Sequence, residues 1–281
     1  MEATIQIGKL NSLKINRKEP QGFYLGAKDE SEVLLPNAYV NIKYDIGDEM
    51  DVFIYHDSDD RIIATTLMPY VRLDEFAFLE VVDVADFGAF LDWGLPKHLF
   101  VPKKYQKTPF QIGQKRVIKV LQDLQTQRLI GVEKFGKFLS HKKPFYQKNE
   151  KVKLFVVAKT PLGYKVIVEN KHEAMLYENE IFEVVNVGDE KIGYIKQTRK
   201  DGKIDASLQP IGKDLKDSQA EEKILQALRQ NNYTLKCNYK SPPAQIESLF
   251  GLSKKVYKRA LTSLQEKGAI SVGEEGLRFL S

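Results

Sequence analysis

The 281-residue sequence holds a single cysteine, Cys237. One thiol forms no internal disulfide and cannot build a thiolate zinc site. Without an evident base partner, it is expected to be an inert thiol. The four histidines, His56, His98, His141 and His172, are scattered and show no His-Glu-x-x-His or other close metal spacing. His172-Glu173 is an isolated pair in an expected turn. No Gly-x-x-x-x-Gly-Lys-Ser/Thr loop occurs to cradle a nucleotide phosphate. No run of about 18 apolar residues is present, so no membrane-spanning helix is expected. The opening residues lack a basic stretch leading into an apolar core, so no secretory leader is expected either. Catalytic, metal, cofactor and membrane roles therefore find no support, and a non-catalytic cytoplasmic protein is expected.

What is present is uneven charge. The net charge is +5, yet residues 1–69 carry −5, while 70–139, 140–212 and 213–281 carry +3, +3 and +4. A polyanion would be repelled by the first stretch and attracted by the others. With 42% hydrophobic residues the chain has enough apolar material for folded cores, and its length suggests several domains.

Internal repetition is the stronger signal. Three segments share an ending made of a Gly, an alternating strand, a polar turn and a second short strand. They run from Ile46-Gly47-Asp48 to Ala64, from Ile112-Gly113-Gln114 to Val132, and from Val187-Gly188-Asp189 to Leu208. In the third, Asp201-Gly202 is a hairpin turn signal, because glycine accepts positive φ at little cost. Upstream, each unit has strands around a glycine: Gln21-Gly22-Phe23-Tyr24-Leu25, Phe87-Gly88-Ala89-Phe90-Leu91 and Leu162-Gly163-Tyr164-Lys165-Val166. About ten residues later come Leu34-Leu35-Pro36, Phe100-Val101-Pro102 and Met175-Leu176-Tyr177. About five short strands in 60–70 residues, with turns so spaced, predict a small closed barrel.

The second unit resembles an S1 RNA-binding domain, a five-stranded barrel of the oligonucleotide-binding (OB) class. The likeness lies in Val81 to Leu91, in Leu99-Phe100-Val101-Pro102 and in Gly113 before the fourth strand. The resemblance implies that Phe87, Phe90 and Phe100 face RNA. Phe100 stands where the family usually has His, which keeps a stacking surface but removes a polar contact. The matching positions are Gln21, Tyr24 and Leu34 in the first unit, and Leu162, Lys165 and Met175 in the third. These units read as divergent copies with altered or lost binding faces.

The tail changes period. Ser218-Gln219-Ala220-Glu221 has the form of a capping box before Ile224, Leu225 and Leu228. Ser241-Pro242-Pro243 opens a second helix ending near Phe250-Gly251, since proline is tolerated in a first turn. Ser253 can cap a third helix with Val256, Tyr257, Ala260, Leu261 and Leu264 on its apolar side, closing at Gly268. Residues 269–272 and 277–280 read as a two-stranded wing. The expected fold is mainly β with an α+β tail: barrels over 1–69, 70–140 and 145–212, then a winged helix over 213–281. That order closely resembles the conserved virulence factor B family of bacterial RNA-binding proteins. Its most specific piece is Ser241-Pro242-Pro243 through Phe250-Gly251-Leu252-Ser253-Lys254-Lys255 to Leu261. The resemblance implies RNA binding and a regulatory role, without a catalytic reaction.

Candidate binding residues follow, each with a plainer alternative. Phe87, Phe90 and Phe100 are either a stacking platform or barrel core. Phe87 and Phe90 have opposite parity in a regular strand, so sharing a face needs a bulge, expected at Gly88. Tyr24 and Tyr164 suit either exposure or burial, and Lys165 stands at a face position of the third barrel. Lys97, Lys103, Lys104 and Lys107 are phosphate contacts or a solvated loop. Trp93 fits the surface or a barrel end. Lys254, Lys255, Lys258 and Arg259 form the outer face of the third tail helix, for phosphate or for solvation. Single-stranded RNA is the first expected partner. DNA read by the winged helix, and proteins of the ribosome or RNA-decay machinery, are the alternatives.

Overall fold

The computed structural model describes residues 5–27, 30–40, 44–140, 142, 144–210 and 213–280, the side chains of 213–219 excepted. His141 lies outside them. The chain forms two compact units, residues 1–208 and 209–281.

The first unit holds the three repeats. Strands β1 (Leu10–Glu19), β2 (Gly22–Gly26), β3 (Glu32–Pro36), β4 (Glu49–His56) and β5 (Ile62–Thr65) close into a barrel in the order β1-β2-β3-β5-β4. The second repeat has β6 (Phe76–Ala85), β7 (Gly88–Leu91), β8 (Leu99–Pro102), β9 (Lys115–Gln122) and β10 (Leu129–Val132). Its sheet order, β10-β9-β6-β7-β8, is the same ring left open between β8 and β10. The third closes again through β11 (Lys151–Thr160), β12 (Gly163–Val168), β13 (His172–Tyr177), β14 (Glu190–Thr198) and β15 (Ile204–Ser207).

Alternation fills each barrel. Along β1, Leu13 and Ile15 point inward while Lys14 and Asn16 are exposed, and the period of two follows from the pleat. A register shift recurs in the first strand of every repeat: between Ile15 and Arg17, between Val81 and Asp83, and between Val156 and Ala158. Each bulge bends its strand around the barrel. The bulge expected at Gly88 therefore sits across the ladder, at Val82. Gly88 serves another end: a Cβ there would lie 2.4 Å from the Phe100 ring, so only glycine lets that ring cross β7.

The barrels are joined by shared cores. Phe53 and Tyr55 of the first barrel pack with Trp93 of the second, their rings 5.9 and 6.3 Å from the indole. Trp93 is 3% exposed and its indole N–H donates to Lys97 O at 2.6 Å, so it plugs the seam. Between the second and third barrels, Phe76, Val132 and Phe135 pack with Phe155 and Ile167. Lys119 is buried there, its ammonium donating to Asp74 O at 2.5 Å and Asn170 O at 3.2 Å. Burial pushes its pKa down.

The second unit has α1 (Lys213–Gln230), β16 (Thr234–Leu235), α2 (Pro243–Phe250), α3 (Lys254–Glu266), β17 (Ile270–Gly273) and β18 (Gly276–Phe279). Pro243 does open α2, and Gly251, at φ +60°, closes it. Two expectations need correction. Helix α1 already begins at Lys213, so Ser218 lies inside it, and Glu221 instead pairs with Lys267 Nζ at 2.6 Å. Ser253 occupies the N-cap of α3 without a side-chain hydrogen bond. The wing also gains a third strand, because β16 pairs with β18.

Candidate nucleic-acid interface

The β6–β7 turn ends at Phe87, which therefore escapes strand parity, while Phe90 and Phe100 face each other across the β7–β8 ladder. The three rings gather, with centroids 6.2 Å (Phe87–Phe90), 5.6 Å (Phe87–Phe100) and 5.3 Å (Phe90–Phe100) apart. Phe87 is 64% exposed, and the other two are half-buried. A barrel core would hide all three. Here one ring stands free in solvent, backed by two whose lower edges are packed.

The platform borders a cleft of about 350 Å³ at the seam with the first barrel, also lined by His56, Lys97, His98, Arg128 and Asp60. Lys97 does not point freely outward as expected for a phosphate contact. Its ammonium donates to Asp57 O at 2.6 Å and pairs with Asp60 at 2.9 Å. Arg128 reaches the same carboxylate at 2.5 Å, so one first-barrel acid ties two second-barrel cations. The Lys97 hydrogen bond, together with both cations, holds Asp60 below the usual carboxylate range. His56 shifts down, through burial first and then the Lys97 charge.

Lys103, Lys104 and Lys107 are exposed and join no ion pair among the described residues. Lys104 Nζ lies 4.9 Å from the Tyr105 ring centroid, and Lys107 Nζ 5.0 Å from that of Phe135. A cation over an aromatic face keeps its charge available to a third group.

The other two barrels present different faces. Tyr24 is half-buried, with the Arg17 guanidinium 3.6 Å above its ring and Gln21 Nε2 donating to its hydroxyl at 3.1 Å. Arg17 is itself held by Glu19 and Glu32 at 2.9 and 3.1 Å, so one face of Tyr24 is covered. Tyr164 packs against the third barrel's core, with Lys159 Nζ 5.6 Å from its ring. Neither tyrosine is the open stacking ring that exposure would have given. Lys165 does lie on the outer face, paired with Glu173 at 3.0 Å. It lines a cavity of about 990 Å³ together with Leu162, Met175, Arg199, Lys200 and Lys203.

In that cavity Asp205 is buried and receives both ends of Arg199, Nε at 2.9 Å and Nη2 at 2.7 Å. Gln197 Nε2 donates at 2.7 Å and Tyr177 Oη at 3.2 Å. Burial pushes the Asp205 carboxyl up, but the Arg199 and Gln197 hydrogen bonds outweigh it and leave it below the usual range. The sequence reading missed Arg128 and Lys203, although a cation precedes the last strand of every repeat: Arg61, Arg128 and Lys203. Because that strand lies beside the third strand of the ring, this cation belongs near the binding face.

On α3, Lys255 and Lys258 are exposed while Lys254 and Arg259 are half-buried. Thr262 Oγ1 and Gln265 Oε1 each lie 3.2 Å from the Tyr239 hydroxyl. Burial raises the pKa of the Cys237 thiol. Among the described residues no three His, Cys, Asp or Glu side chains gather as a metal site, and no helix is long and apolar enough to cross a membrane.

Comparison with known proteins agrees with this architecture. The S1 domain model matches residues 7–67, the first barrel, and the CvfB-like winged helix domain model matches residues 222–279. A Staphylococcus haemolyticus protein, conserved virulence factor B, is 23% identical over 96% of this chain and 95% of its own length. The chain is thus similar over nearly its whole length to a conserved virulence factor B protein. The uncharacterized protein YitL of Bacillus subtilis is 29% identical over 94% of this chain and 90% of its own. A solved structure from Streptococcus pneumoniae, described as a multidomain protein with nucleic acid binding domains, is 22% identical, with 98% of each chain covered and a TM-score of 0.41. S1 and winged-helix modules together make this a nucleic-acid-binding architecture.

Proposed function

We propose that the protein is a non-catalytic, cytoplasmic regulator that holds single-stranded RNA, chiefly on the second barrel. The observation that carries this reading is the Phe87–Phe90–Phe100 cluster, followed in the chain just after Phe100 by Lys103, Lys104 and Lys107, which join no ion pair among the described residues. Stacked bases need flat rings, each worth about 1–3 kcal/mol, and phosphates need cations that are not already neutralised. Duplex DNA hides its bases from such rings. The cations of α3 outnumber the side chains that could read base edges, and Thr262 Oγ1 and Gln265 Oε1 already meet the Tyr239 hydroxyl. The tail therefore supplies phosphate contacts rather than sequence choice. A competition titration of the full chain with single-stranded RNA and duplex DNA, at one salt concentration, tests the reading. RNA should displace DNA, and preferential binding of one duplex sequence would make the winged helix the reader.

A further inference from the structure

Between the second and third barrels run two short 3-10 turns, Lys103–Tyr105 and Phe135–Phe138. The first starts at the edge of the aromatic platform, where Lys103 N–H donates to Phe87 O at 3.0 Å. The second is tied to the first, because Tyr105 O accepts from Glu133 N–H at 3.1 Å and Lys134 N–H at 2.9 Å. The rings of Tyr105 and Phe138 meet edge to face, with centroids 5.9 Å apart. Phe138 is 39% exposed, while Tyr105 is half-buried against the core that the second and third barrels share. Just beyond, Gly136 and Leu139 line the large cavity of the third barrel, and Ser140 N–H donates to Lys171 O at 2.9 Å. Backbone hydrogen bonds and a ring contact thus link the platform, through Tyr105 and Phe138, to the edge of that cavity.

This strip is basic. Lys103, Lys104, Lys134 and Lys137 are all exposed, and none joins an ion pair among the described residues. Lys134 Nζ donates only to a backbone carbonyl, Lys104 O, at 3.2 Å. Of the acids at hand, Glu133 is buried and turned to Arg116 Nη1 at 3.5 Å and Lys107 N–H at 2.5 Å. Asp123 feels the Lys104 charge but is turned to the backbone N–H groups of Gln125 and Thr126. An exposed ring, Phe138, among lysines that join no ion pair suits one kind of polymer, a single strand whose bases stack while its phosphates meet the cations.

We propose that Phe138, backed edge to face by Tyr105, forms a second stacking station, flanked by Lys103, Lys104, Lys134 and Lys137, over which RNA held on the second barrel passes toward the third-barrel cavity. The inference rests on the RNA reading of the platform and adds a length requirement to it. A short strand occupies the platform alone, whereas a longer one also reaches the station.

The test compares the full chain with Phe138→Ala and with Lys134→Gln/Lys137→Gln, using fluorescent oligouridylates of about 5 and about 15 nucleotides, within the span of one or two OB sites. The second variant changes only exposed side chains, so it stays informative if Phe138→Ala unfolds. The 15-mer should lose at least roughly fivefold in affinity with Phe138→Ala, by analogy with other stacking rings. In the lysine variant its salt slope should fall by about 0.7 for each phosphate left without a cation. The 5-mer should stay within about twofold throughout. Equal losses for both lengths, or none for the 15-mer, would overturn the station. So would tighter binding of an oligoglutamate peptide than of the 15-mer, which would make the strip a protein contact. Phe87→Ala/Phe90→Ala/Phe100→Ala reports separately: if the 5-mer binds that variant undiminished, it is the platform reading that fails.

Discussion

Phe87 and Asp205 show how position decides what a side chain does. The Phe87 ring escapes the barrel because it ends a turn, and Gly88 beside it keeps the space that Phe100 needs. Asp205 is buried, yet four hydrogen bonds from Arg199, Gln197 and Tyr177 keep it charged. Its folded-state pKa is depressed, so its contribution to stability is complete above the unfolded carboxyl pKa of about 3.9 and is lost as pH falls through the lower folded value. Asp205→Asn should therefore cost about 1–3 kcal/mol near neutrality, the range for lost hydrogen bonds to a charged group. Its melting temperature should approach that of the parent below about pH 4. Thermal melts of both proteins from pH 3 to pH 8 check this, and a constant gap across the range would speak against it.

Among elements, the barrels were legible because glycine, strand, turn and strand recur three times, and a closed five-stranded ring satisfies that pattern. Where the turn ends was not legible: parity suggested a bulge at Gly88, whereas Phe87 lies in the turn and escapes parity, and the bulge sits on the facing strand at Val82. β16 escaped because two residues show no period, and the start of α1 because Lys213-Asp214-Leu215-Lys216 lacks an apolar stripe. The fate of single cations was equally hidden. Lys97 meets Asp60 of the preceding barrel, and Arg17 covers Tyr24, through pairings that only the folded chain creates. Lys103 and Lys104, by contrast, stay open on their 3-10 turn. Lys103→Gln/Lys104→Gln should flatten the plot of log affinity against log salt by about 0.7 for each phosphate no longer neutralised, while leaving base preference unchanged. Titrations of the double variant between low and moderate salt measure both quantities. An unchanged slope would return these lysines to the role of solvated surface.

Across the whole molecule, the proposed function divides between the two compact units. The barrels share cores through Trp93 and Phe76, which ties the three repeats of the first unit together. On the proposed reading, the winged helix, whose α3 cations outnumber its amide side chains, would add effective concentration rather than selectivity. Removal of residues 209–281 should weaken RNA binding without altering base preference, and the isolated tail should bind nucleic acid weakly and without sequence choice. Nanomolar selection of one DNA sequence by the tail would reverse that division.

The aromatic platform remains the centre of the reading, and a direct titration addresses it. Single-stranded RNA affinity is compared for the full chain and for Phe87→Ala/Phe90→Ala/Phe100→Ala at one salt concentration, with melting temperatures recorded alongside. At about 1–3 kcal/mol per stacked base, the folded triple variant should bind at least about tenfold more weakly. A triple variant that melts as a folded protein and binds RNA as tightly as the parent would contradict the assignment of these rings to RNA.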